Sequence, residues 1–153
     1  MFDASNFLNT VFTDANDTKI TPCPAGEYAA QIESVEPKSG QIKNGERVGQ
    51  DWAGLNIKYT ITDPGVLALL GRDKVIVSDL VMLDLTPGGG LDMGPQRNIG
   101  LGRLREATGL NQPGQPFSPV MFIGKSVRVS VKHVPGFKNP ADLVAEISGV
   151  TKL

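Results

Sequence analysis

The sequence predicts a mainly β fold, a five-stranded Greek-key barrel with one short helix between its third and fourth strands, preceded by an N-terminal arm. Eighteen glycines and eleven prolines in 153 residues fall in clusters that punctuate runs of Val and Ile, the composition of short strands joined by turns. Several stretches alternate apolar and polar residues with period two. One stretch alone repeats at three to four, and it lies between the third and fourth strand candidates.

Residues 1–25, rich in Asn, Asp and Thr and closing on Pro22-Cys23-Pro24, hold a single apolar cluster of Phe7, Leu8, Val11 and Phe12. They are expected to form an acidic arm packed loosely on the domain or on a partner, with the domain itself spanning residues 26–153. Gly26 opens the first strand, where Tyr28, Ala30 and Ile32 share one face and Glu27, Gln31 and Glu33 the other. Pro37 to Asp51 reads as a long mobile loop carrying Lys38, Lys43 and Arg47. In the second strand Leu55, Ile57, Tyr59 and Ile61 alternate with Asn56, Lys58 and Thr60, and Asp63-Pro64-Gly65 ends it in a turn.

A short apolar turn, Val66 to Leu70, leads to a third strand from Lys74 to Leu85. Both of its faces are largely apolar, as expected of a central or bulged strand. Pro87-Gly88-Gly89-Gly90 then breaks regular structure. Ile99, Leu101, Leu104, Ala107 and Thr108 fall at helical spacing with Gly109 as a stop, and Arg103, Glu106 and Arg105 lie away from that face. Val127, Val129 and Val131 alternate inward in the fourth strand against Ser126, Arg128, Ser130 and Lys132. The fifth strand runs from about Asp142 to Val150, after the turn at Pro135-Gly136. Strand, strand, strand, helix, strand, strand is the order of the OB fold, a small Greek-key barrel.

A chain of this length can bury about two-thirds of its unfolded surface and needs no covalent staple. Cys23 is the one cysteine, so neither an intrachain disulfide nor a Cys-based metal cluster can form. No run approaches the roughly 18 apolar residues of a membrane helix, and the acidic N-terminus lacks the features of a signal peptide, so a cytosolic protein is expected. The net charge of −1 is unevenly spread. Met1 to Glu36 holds six acidic residues and one basic, whereas Pro95 to Leu153 holds eight basic and three acidic. Such asymmetry suggests an anion-binding half beside an acidic arm.

Catalytic chemistry finds little to stand on. His133 is the one histidine, and Cys23 has no histidine near it in sequence. Gly88-Gly89-Gly90 lacks the Gly-Lys-Ser/Thr ending of a phosphate loop, Gly100-Leu101-Gly102 lacks the third glycine of a dinucleotide fingerprint, and Asp79, Asp84 and Asp92 lack the spacing of a calcium loop. No catalytic residue, metal ligand or cofactor is assigned. What remains is a surface pattern suited to single-stranded nucleic acid, which is held by cations along its phosphates and by rings on which bases stack. Trp52 shares outward parity with Lys58, Arg128 and Lys132 project together, and Phe137 and Lys138 sit on the hairpin between the last two strands. Arg72 and Lys74, at the head of the third strand, and Arg97, ahead of the helix, complete the candidate set.

Three stretches carry a resemblance: Pro22-Cys-Pro-Ala-Gly-Glu-Tyr-Ala-Ala-Gln-Ile32, Met82-Leu-Asp-Leu-Thr-Pro-Gly-Gly-Gly-Leu-Asp-Met-Gly94, and Arg97-Asn-Ile-Gly-Leu-Gly-Arg-Leu-Arg-Glu-Ala-Thr-Gly109 followed by Gly124-Lys125. In order and spacing, from about Gly26 to the C-terminus, the chain resembles tailed-bacteriophage single-stranded DNA-binding proteins of the OB-fold type. The resemblance implies coating of exposed DNA strands without a cofactor during phage DNA replication, recombination or repair, in the cytoplasm of the infected bacterial host. Its implied partners are single-stranded DNA and phage or host replication and recombination proteins, and a homo-oligomer is compatible with it. One departure stands out: many such proteins end in an acidic tail, whereas this chain ends Ser148-Gly-Val-Thr-Lys-Leu153 and carries its acidic residues at the N-terminus. The competing expectation is a phage structural or assembly protein that uses a small barrel for protein contacts, whose sign would be a large apolar outer patch.

Overall fold

A computed structural model describes residues 1–153. Its centre is β1, Gly26–Gln41, which pairs antiparallel with β2, Asp51–Ile61, on one side and with β4, Ser126–Pro135, on the other. β3, Val75–Leu83, lies outside β2, and β5, Leu143–Lys152, lies outside β4, giving one five-stranded antiparallel sheet in the order β3-β2-β1-β4-β5. Period-two patterning dictates which side is buried. Ile57, Tyr59 and Ile61 of β2 and Val127 and Val129 of β4 are wholly buried, with Ile32 of β1 beside them. Full burial of each such aliphatic side chain contributes about 1.5–3 kcal/mol.

The expected first strand is longer than its alternation suggested. β1 continues through Pro37 to Gln41, and residues 42–50 form a tight hairpin closed by Ile42 N–H to Gln50 O and Gly49 N–H to Ile42 O, both 2.8 Å. A proline fits inside this strand because β4 pairs only with Gly26 to Gln31, so beyond that point one edge of β1 is free. Between Ile32 and Ser34 the register shifts. There the backbone of Ile32 turns to Gly124 and Lys125, exchanging two hydrogen bonds of 2.9 Å.

The stretch expected as a turn at Val66 to Leu70 is a helix. α1, Ala4–Phe7, is a single turn in the arm, and α2, Pro64–Leu70, has every helix signal in place. Asp63 caps its N-terminus by accepting from Val66 N–H at 3.1 Å, Pro64 occupies the first turn, and Gly71 closes it at φ +63°. The helix expected between Asn98 and Leu110 is α3, Ile99–Ala107, burying Leu101, Leu104 and Ala107. Ile99 does not join that face: it is exposed in the first turn. Asn98 orients the helix from a left-handed conformation that asparagine tolerates. Its side chain accepts from Asp84 N–H at 2.7 Å and donates to the carbonyls of Asp84 and Asp92.

Two further expectations are corrected. β3 is an edge strand, not a central one; its second apolar face, Ile76, Leu80 and Met82, is left exposed. The sheet is also not closed into a barrel, because no hydrogen-bonded register joins β3 to β5, although the two run in the same direction and approach one another with α3 packed on both. The lips of this seam carry like charge. Asp79 of β3 has its carboxyl pushed above the usual range first by burial and then by Glu146 of β5.

Candidate nucleic-acid interface

The outer face of β1, β2 and β3 is built around two glycines. Gly40 is the cross-strand partner of Trp52, and a Cβ there would stand 2.9 Å from the indole nitrogen and 3.1 Å from the adjoining ring carbon. Only a residue without a side chain lets the indole lie across β1. Gly54 does the same for Leu80, whose Cδ1 would be 3.0 Å from a Cβ on that glycine. Trp52 is half-buried in this position and stands outside the hydrophobic core. Leu80 and Met82, both exposed, extend the apolar strip across β3.

Cations sit along the strip, some of them already partnered. Lys74 binds Glu33 at 2.7 Å, and this hydrogen bond holds the Glu33 carboxyl below the usual range. Lys38 lies 3.4 Å from Glu36. Lys58, opposite Ser34 and Ser78 at the middle of the face, forms no ion pair. The β1–β2 hairpin closes the face at the Trp52 end with Lys43 and Arg47, the latter donating to Gln50 Oε1 at 3.1 Å. The hairpin between β4 and β5 holds Phe137, fully exposed, and Lys138. Arg72 borders the β3 and β5 heads, beside Ile20, Cys23 and Leu143.

Three candidates fall elsewhere. Arg128 lies opposite Ala29 of β1 and Thr151 of β5, five positions along β1 from the partner of Lys58 and on its other edge. Lys132 is opposite Glu146 and within 3.4 Å of it. Arg97 leans toward Asp92 at 3.7 Å in the loop that orients α3. The fold therefore gathers Trp52, Lys58 and Lys74 on one face, Phe137, Lys138 and Arg72 near the β4–β5 hairpin, and Arg128 and Lys132 on the opposite flank. Leu80, Met82 and the two glycines were not singled out from sequence. A glycine at Gly40 registered against the one tryptophan was the available signal, but it needed the hairpin length.

The groups weighed for catalysis are engaged structurally. His133 Nε2 lies 2.8 Å from the carbonyl of Cys23. The Cys23 thiol is buried, and that burial, with Asp63 nearby, raises its pKa, which disfavours the reactive thiolate. Asp84 accepts from Asn98 N–H at 2.7 Å and Asp92 from Gly94 N–H at 2.9 Å. The run after Pro87 is a closed turn, with Thr86 N–H donating to Gly90 O at 2.7 Å. No group of three or more His, Cys, Asp and Glu side chains is arranged to hold a metal ion, and no helix is long and apolar enough to cross a membrane. No protein-family model matches the chain, and no curated protein is found to be similar to it.

Proposed function

We propose that this protein binds single-stranded DNA through the outer face of β1, β2 and β3, without strong sequence demand and without a cofactor, in phage DNA replication, recombination or repair. The observation that carries the reading is Trp52 laid across Gly40 beside the cation-bearing β1–β2 hairpin, with Lys58 unpaired on the same face. A ring supported from below by backbone is a platform for an unpaired base, and the flanking ammonium groups are placed for phosphates. The strand order supports the finer fold assignment. β4 returns to lie beside β1, as in a Greek key, α3, between β3 and β4, packs on both strands of the β3–β5 seam, and both agree with an OB-type barrel left open at that seam. The protein acts by binding, not by catalysis.

Trp52 is the only tryptophan, so intrinsic fluorescence reports directly on the proposed platform. Titration with unstructured DNA oligomers should quench it, duplex DNA of equal length should bind much more weakly, and affinity should fall as salt rises through counterion release. Equal affinity for duplex, or binding indifferent to salt, contradicts the proposal. A second reading is favoured by the exposed row Ile76, Leu80 and Met82: a phage assembly protein that uses this face against another protein. It predicts no response of Trp52 to any oligomer.

A further inference from the structure

The arm gathers large apolar side chains without covering them. Phe7 packs against Phe2 at 5.1 Å and against Phe12 at 5.9 Å between ring centroids, both pairs tilted. Phe12 is 68 % exposed, Val11 84 % and Leu8 93 %. This knob also carries Asp3, and Asp14 and Asp17 follow it on the tether. The tether ends where Lys19 binds Asp142 at 2.7 Å and Ile20 to Cys23 pack against the heads of β3 and β5. The domain holds the root of the arm and leaves the knob in solvent.

A matching cavity lies along the seam. It has a volume of about 310 Å³ and is lined by Leu80, Met82, Leu104, Ile147 and Val150, with Tyr59 and Asp79 also facing it and Arg103 among its walls. Tyr59 is 0 % exposed, yet its hydroxyl has no hydrogen-bond partner, and a buried unpaired hydroxyl is costly. Arg103 is exposed and forms no ion pair. The cavity thus offers apolar walls, an acceptor carboxyl and a free cation.

We propose that the aromatic knob of one chain docks in the seam cavity of a second copy, and that reciprocal exchange of arms makes a homodimer. Apolar rings meet apolar walls, the arm's aspartates meet Arg103, and the Asp79 carboxyl takes up an N–H of the incoming backbone. Where the exchange is reciprocal, each copy's knob seated in the other's cavity, the assembly is two-fold and closes at two chains. The proposal does not depend on DNA binding, and its test contains no DNA.

Sedimentation equilibrium of the full-length protein over a concentration series should approach a mass about twice the 16.3 kDa of one chain. Two variants keep the core intact: Phe7→Ser with Phe12→Ser removes the knob, and Arg103→Glu reverses the charge beside the cavity. Each should raise the dimer dissociation constant by about tenfold or more, as loss of an interface anchor does, with an unchanged melting curve. Equimolar mixing of the two variants should restore association, since one intact knob then meets one intact cavity. A monomer mass at every concentration, a dimer that neither variant weakens, or a mixture that associates no better than its components would each overturn the proposal.

Discussion

The two flanks of the sheet carry similar cations on different ground. On β1 and β2, glycines stand against large side chains of the next strand, so Trp52 and Leu80 lie over backbone and Lys58 stands beside a ring and an apolar strip. On β4 and β5, Arg128 and Lys132 stand among Ser126, Ser130, Thr151 and Glu146, with no ring on that face. The second flank can meet phosphate; the first can meet phosphate and base. Charge alone does not separate them, and the cross-strand glycines do.

The largest expected effect tests the ring itself. Trp52→Ala should weaken oligomer binding by roughly 1–3 kcal/mol, about one to two decades. The melting temperature should barely move, because the side chain stands outside the core. Gly40→Ala should act in the same direction with the indole still present, since the new Cβ would meet it at 2.9 Å. Paired melting curves and oligomer titrations check both, and a Trp52 variant that melts early but binds normally would remove the platform. For comparison, Ile57→Ala, in the fully buried core, should cost about 2–5 kcal/mol of stability.

A smaller effect separates the flanks. Lys58→Ala should reduce the slope of log affinity against log salt by about one phosphate contact, whereas Arg128→Ala should leave that slope unchanged. Equal slopes for the two variants would mean that the DNA strand wraps both flanks and that the glycine-backed flank has no special role in binding.

The pH dependence of stability concerns the seam. Asp79 has a folded-state pKa raised above the ordinary 3.8, so its ionisation opposes folding. The stability it contributes when protonated is present below the ordinary value and is lost as pH rises through the raised one. Asp79→Asn should therefore raise the melting temperature at neutral pH and flatten its acid-side dependence. Glu33 works in the opposite sense, since its pKa is lowered: its contribution is present at neutral pH and disappears as pH falls through the lowered value. Thermal melts of Asp79→Asn and Glu33→Gln between acid and neutral pH distinguish the signs. The smallest change is expected from Tyr59→Phe, which deletes an unpaired buried hydroxyl and should leave the isolated domain equally stable or slightly more so.

Much of the fold was legible because alternation is a local property. The inward residues of β2 and β4, the position of α3 and the β4–β5 hairpin all follow from patterns a few residues long. What escaped depended on partners distant in sequence. β3 looked central because both faces are apolar, yet Ile76, Leu80 and Met82 answer to Gly54 and the outer face. Pro37 to Gln41 looked like loop because Pro and Gly are poor strand formers, and only the missing second partner of β1 explains their tolerance. At Asp63 the turn signals were also helix-capping signals, and the burial of Val66 selects the helix. The site divides likewise. Trp52 and Lys58 share parity on one strand, so their common face was readable, whereas separating them from Arg128 required the order of strands.

The position of β1 between the two halves also bears on how the chain reaches its native state. β1–β2 and β4–β5 are hairpins whose strands are joined by short turns, but the β1–β4 ladder joins residues about 100 apart in sequence, such as Gly26 and Val131. The unpaired seam supplies no second ladder. Closing so long a loop carries an entropic cost that must be met before the new contacts form, so the docking of two preformed hairpins should limit the folding rate. Truncating Val129 on β4 should then slow folding nearly in proportion to the stability lost, while truncating Val77 on β3 should mainly hasten unfolding.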